Sequence, residues 1–157
     1  GGNRHLQTIL VALENLKAGG RTRIGPALLG QASQWKRRGL AILISDLYDE
    51  REEIVEAVKR VRRVGHDVVI FHLLDRAEKL LEKRGTYEFR DLETGETILA
   101  DADRIRRDYI ERIEAALSYF RREFERTGAD YAELDTSEPL DKALALYLRR
   151  RTAKRKR

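Results

Sequence analysis

Residues 40–46 read LAILISD: an unbroken run from Leu40 to Ser45 without a charge, and then Asp46. Six residues suffice for one strand. Their apolar side chains do not alternate with polar ones, which predicts a strand covered on both faces, as in a parallel sheet. Residues 67–74, DVVIFHLL, repeat the pattern, with the β-branched and aromatic content that strands favour. Between the two runs, residues 50–64 have helical spacing. Asp49, Glu50, Glu52 and Glu53 load the start of that helix, and Lys59, Arg60, Arg62 and Arg63 load its end. This polarity matches the helix macrodipole. Strand, helix, strand in that order implies a right-handed parallel crossover. The fold class is therefore α/β, with a mainly parallel sheet covered on both faces, in three layers.

Upstream, Leu6, Ile9, Leu10, Leu13 and Leu16 form one apolar stripe on a helix over 5–17, stopped by Gly19 and Gly20. A second helix starts near Gly25 and Pro26, with Ala27, Leu28, Ala32 and Trp35 on its buried side, and ends at Lys36–Gly39. Downstream of Asp75 the pattern changes. A short helical turn over 77–81 precedes an inserted hairpin, with strands at 86–90 and 97–100 and Gly95 in the turn. A long helix over 103–127 ends at Gly128, and a terminal strand follows at 129–134. The last helix is capped by Thr136 or Ser137, has Pro139 in its first turn, and uses Leu140, Leu144 and Leu148 as its apolar face.

With 157 residues the chain supports one domain with a real core. No apolar stretch is long enough to span a bilayer, and the first residues, GGNRHLQ, are not a secretory signal. The chain contains no Cys, which removes disulfides, thiolate metal sites and cysteine nucleophiles together, and fits a reducing, cytoplasmic setting. It also contains no Met, not even a start residue, so the sequence reads as a processed product or as a piece of a longer protein. The last nine residues, RRRTAKRKR, hold seven basic charges, and without them the net charge of +5 becomes −2. The domain thus occupies residues 1–150, and 151–157 form a basic tail read as disordered and solubilising. An electrostatic nucleic-acid or anionic-membrane contact is the tail's alternative role.

Chemistry is expected at the carboxyl ends of the strands, where open α/β sheets hold ligands. Asp46 follows the first strand directly, and Thr22 lies on the preceding glycine-rich connection. A carboxylate and a hydroxyl supply part, not most, of the oxygen shell a magnesium-type cation needs. The same residues also serve as turn or helix caps. Asp75 ends the second strand as Asp46 ends the first. Two such Asp residues leave open a phosphohydrolase or phosphotransferase acting through an aspartyl group. No glycine-rich phosphate loop with Lys and Ser/Thr follows a strand, so Asp75 reads as a cap. Ser45 lacks the elbow motif of a nucleophilic serine. His5, His66 and His72 have no metal-ligand spacing, and His72, inside an apolar strand, reads as a satisfied core residue.

Six stretches occur in order over nearly the whole chain: GGRTRIGPAL, RRGLAILISDLYDE, GHDVVIFHLLDRAE, FRDLETGE, YIERIEAAL and DYAELDTSEPLDKALALYLRRR. In this series the chain resembles the C-terminal portion of the bacterial domain of unknown function 58 family, whose domain is von Willebrand factor A-like. The resemblance implies a doubly wound sheet with a metal-ion-dependent adhesion site, in which a DxSxS motif, a Thr and an Asp share a cation. By position Thr22 matches that Thr and Asp46 that Asp. DxSxS is absent, so the resemblance places the first strands in a preceding segment and leaves a sheet edge and an apolar face to be covered by it. It further implies a binding module rather than an enzyme, with magnesium as cofactor and a protein partner, of which a MoxR-type AAA+ ATPase is the family's example.

Overall fold

The structure, a computed structural model, describes residues 2–17, 23–82, 84–90 and 95–155. In chain order the elements are helices α1 (Asn3–Glu14) and α2 (Ile24–Ala32), strand β1 (Leu40–Ser45), helix α3 (Arg51–Arg63), strand β2 (Asp67–Leu74), and the short helix α4 (Arg76–Leu80). Strands β3 (Thr86–Arg90) and β4 (Thr97–Asp101), helix α5 (Ala102–Thr127), strand β5 (Asp130–Asp135) and helix α6 (Leu140–Arg155) follow. The sheet has three strands in the order β1-β2-β5, all parallel. β3 and β4 form a separate antiparallel hairpin.

Alternation along β2 divides the core in two. Val68 and Ile70 face α3 and α5, where Ile54, Val55, Val58, Val61, Phe120 and Phe124 close over them. α3 forms and docks because its buried residues, Ile54, Val55, Ala57, Val58 and Val61, recur at helical spacing. Each large one contributes about 1.5–3 kcal/mol through burial. α2 lies close beside α3: a Cβ on Gly25 would stand 3.1 Å from the Glu53 carbonyl oxygen. On the other face Val69 and Phe71 of β2 and Leu134 of β5 meet Ala143, Leu144 and Tyr147 of α6. Helices thus lie on both faces, in three layers. α5 is closed by Asp101, which accepts from the Asp103 and Arg104 N–H groups at its start, and by Gly128 in the left-handed region at its end.

Several expectations need correction. β1 is not covered on both faces. Ala41 is buried against α3 and α5, but Leu40, Ile42 and Ile44 are 51%, 55% and 62% exposed. The reason is reach: α6 packs over β5 and β2 and stops short of β1, which is also an edge strand among the described residues. Every residue from 2 to 17 is exposed, so the apolar stripe of α1 is left bare among the described residues. α6 presents Ala143, Leu144 and Tyr147 to the sheet, while Leu140 and Leu148 stay exposed. Trp35, expected on the buried side of the second helix, lies beyond the end of α2 and is 37% exposed. The basic tail expected to be disordered from residue 151 continues α6 as far as Arg155. Arg151 helps hold it there, pairing with Asp130 at 3.3 Å and Asp67 at 3.9 Å. No helix among the described residues is long and apolar enough to cross a membrane.

Candidate functional site

β1 delivers Asp46 to the carboxyl end of the sheet, where the chain turns sharply before α3. Leu47 makes the turn with φ +54°, a left-handed conformation that a branched side chain adopts only when its surroundings hold it there. Here Leu47 is buried in the core cluster, and its N–H donates to the Ser45 hydroxyl at 3.1 Å. The Tyr48 N–H donates to Asp46 Oδ1 at 3.1 Å, and the Ser45 hydroxyl donates to the same oxygen at 3.3 Å. The Asp46 carboxylate is exposed, with hydrogen bonds to Oδ1 and lone pairs left to face solvent. Beside it Tyr48 is 93% exposed.

His72 anchors this turn from inside the sheet. It stands opposite Ser45 in the β1–β2 register and is buried. Its Nε2 lies 2.8 Å from the Asp46 carbonyl oxygen, which accepts only, so the ring proton sits on Nε2. Nδ1 then accepts from the Tyr131 hydroxyl at 2.7 Å. Burial, above all, pushes the Tyr131 phenol pKa up, which keeps its proton in place. Burial likewise lowers the His72 pKa, opposed by the hydrogen bond to the Asp46 carbonyl. Glu133 stands beyond Tyr131 and is held bidentately by Arg121 at 2.6 and 2.7 Å.

A second anchor ties the preceding connection to the same turn. Asp49 Oδ2 accepts from the Ile24 N–H at 2.7 Å, and Oδ1 accepts from the Glu50 N–H at 2.8 Å. Arg23 pairs with Glu53 at 2.6 Å. Residue 24 is therefore fastened to Asp49, three residues beyond Asp46, and residue 23 to Glu53 in the first turn of α3. Thr22 itself lies outside the described residues. The two expected ligands reduce, among described residues, to Asp46, and no cluster of three or more His, Cys, Asp or Glu side chains suited to a metal ion occurs among them.

The other strand-end acids are structural. Asp75 Oδ1 caps α4 by accepting from the Ala77 N–H at 2.7 Å, and Oδ2 accepts from the Thr136 hydroxyl at 3.1 Å. Asp135 Oδ1 accepts from the Ser137 N–H and hydroxyl, which hold its carboxyl below the usual range. The expectation for His72 as a satisfied core residue holds. Its grip on the Asp46 carbonyl was missed, although a polar residue facing the last residue of β1 was a signal for it.

The model of the family described as protein of unknown function DUF58 matches residues 1–118. Among solved structures, the conserved hypothetical protein BatB from Bacteroides thetaiotaomicron is similar at 18% identity and a TM-score of 0.49, over 88% of this chain and 65% of that one. An aerotolerance-related membrane protein from Bacteroides fragilis, with multiple mutations to serines, is similar at 17% identity and a TM-score of 0.48, over 91% of this chain and 68% of that one. The chain thus spans about two-thirds of the length of these structures. A comparison with curated proteins finds no match.

Proposed function

The chain belongs to the DUF58 family of proteins of unknown function, and from that premise we propose that it is a protein-interaction module built around half of a metal-ion-dependent adhesion site. In this reading the domain is von Willebrand factor A-like. Asp46 and Thr22 bind a magnesium ion together with a DxSxS segment on a strand that adds to the free edge of β1. A carboxylate from a protein partner fills the remaining position. The partner is a MoxR-type AAA+ ATPase or a protein it acts on, on the cytoplasmic side of the membrane. The module carries out no reaction of its own.

One observation carries this reading. The exposed Asp46 carboxylate stands at the end of a strand whose outer edge is unpaired, and whose Leu40, Ile42 and Ile44 face is bare, among the described residues. Apolar surface beside an open ladder is the mark of a missing layer. The Asp49 bond to Ile24 supports the convergence of the two loops, since it fastens the chain two residues after Thr22 beside the Asp46 turn.

Magnesium calorimetry tests the reading on this chain extended upstream through a strand ending in DxSxS. We expect saturable binding that Asp46→Ala and Thr22→Ala each weaken at least tenfold. Equal affinity after Asp46→Ala removes Asp46 from the ligand set. Turnover of a phosphoester substrate that disappears in Asp46→Asn would replace the binding module with an Asp-dependent phosphohydrolase.

A further inference from the structure

Three basic segments far apart in the sequence meet at the end of the sheet opposite Asp46. Parallel strands joined by helical crossovers bring the carboxyl ends of these helices to the amino ends of the strands. Lys36–Arg38 follow α2, Lys59–Arg63 close α3, and Arg149 and Arg151 lie near the end of α6. All three segments converge on residues 65–67. The Arg38 side chain fills the space beside Gly65, where a Cβ would lie 2.6 Å from its Nε. Arg62 donates to the His66 carbonyl at 2.9 Å and to Asp67 at 2.8 Å, and Arg151 reaches Asp67 from the other side of the sheet.

Counter-charge at this end is incomplete. Asp67 and Asp130 serve Arg62 and Arg151, while Glu56 and Glu123 serve Lys59, Arg60 and Arg63. Lys36, Arg37, Arg38 and Arg149 are exposed and have no ion-pair partner among the described residues. Within this collar sits Trp35, the only Trp of the chain, its ring edge-on to the buried His66 at 4.9 Å. It lines an open groove of about 480 Å³ together with Lys36, Arg37 and the half-exposed Leu40.

We propose that this end of the sheet docks on an anionic phospholipid bilayer. Lys and Arg near such a surface are each drawn to it by the negative lipid charge, and an indole settles at headgroup level. A single half-exposed ring offers a single-stranded nucleic acid no succession of stacking platforms, so an RNA or DNA strand would gain phosphate contacts alone. Docking by this end is reversible and salt-sensitive, since it rests on surface charge and one indole ring. It also sets an orientation: β1 holds Asp46 about 20 Å from the lipid, at about 3.3 Å per residue, and points it away from the bilayer. The proposal rests on the basic end alone and stands whether or not Asp46 binds a metal.

The lone Trp is the reporter. With the full chain and vesicles of equal phosphatidylglycerol and phosphatidylcholine, we expect Trp35 emission to shift to the blue and the protein to sediment with the lipid. Pure phosphatidylcholine leaves the emission unchanged, and roughly 0.5 M salt reverses the shift by screening. Combined Lys36→Ala, Arg37→Ala and Arg38→Ala substitutions weaken binding about a hundredfold, at roughly fivefold per charge. The same loss of charge at exposed Arg104, Arg107 and Arg112 on α5 changes it less than threefold. Arg149→Glu, in the third segment, is a second variant should the triple substitution unfold. Unshifted Trp emission with anionic vesicles overturns the proposal, as does an equal loss in the α5 variant. Tighter binding of an oligonucleotide than of anionic vesicles at the same salt overturns it in favour of a nucleic-acid face.

Discussion

Ile42 and Val69 are neighbours across the β1–β2 ladder and share a face of the sheet, yet Val69 is 1% exposed and Ile42 is 55% exposed. One step along, Phe71 is 7% exposed and its partner Ile44 is 62%. The two strands have similar composition and pair with each other in parallel, β2 pairing with β5 as well. What differs is the third layer, for α6 sets Tyr147 edge-on to Phe71 at 4.9 Å and ends its cover there. An apolar run therefore states that a strand is suited to burial, and the neighbouring layer decides whether burial happens.

The largest effect should separate the two halves directly. Phe71→Ala removes a ring packed between β2 and α6 and should cost about 3–5 kcal/mol in denaturant unfolding. Ile44→Ala, its ladder partner, should change stability by no more than about 0.5 kcal/mol. Similar costs for the two would mean that the bare half of the sheet is covered in solution. A smaller effect tests the anchors of the Asp46 turn. Asp49→Ala unties Ile24 and should cost about 1–2 kcal/mol, read in the same unfolding curves, with Thr8→Ala on the uncovered α1 as a near-neutral control.

The smallest effect is a pH dependence on the covered face. The His72 pKa is lowered from 6.5, so the unfolded chain takes up a proton that the folded chain refuses. Stability from this ring is full above the unfolded value and is lost as pH falls below it. His72→Gln, which keeps a donor for the Asp46 carbonyl, should flatten the part of the stability profile just below pH 6.5. A profile as steep as that of the unsubstituted chain would show that another group is responsible.

Much of the fold was legible because its signals are local. The acidic start and basic end of α3, Gly128 after α5, and the hairpin around Gly95 each depend on residues a few positions apart. Asp75 was legible as a cap for the same reason. The candidate site was less so. Asp46 was placed correctly at a strand end, but the bond from His72 to its carbonyl spans 26 positions and the bond from Asp49 to Ile24 spans 25. Neither leaves a periodic trace. Trp35 and Leu148 were misjudged because helical spacing names a face without naming what it meets.

By itself the sequence determined which segments become helices and strands, their order, and therefore the parallel crossover that sends acids to one end of the sheet and bases to the other. Those outcomes follow from backbone preference, capping and dipole charge, all of which act within a few residues. Tertiary structure alone decided that α6 shelters β2 and β5 but not β1, that His72 grips the turn at Asp46, and that three distant basic segments gather around His66 and Asp67. Burial and charge depend on distance in space, and only the packed chain sets that distance.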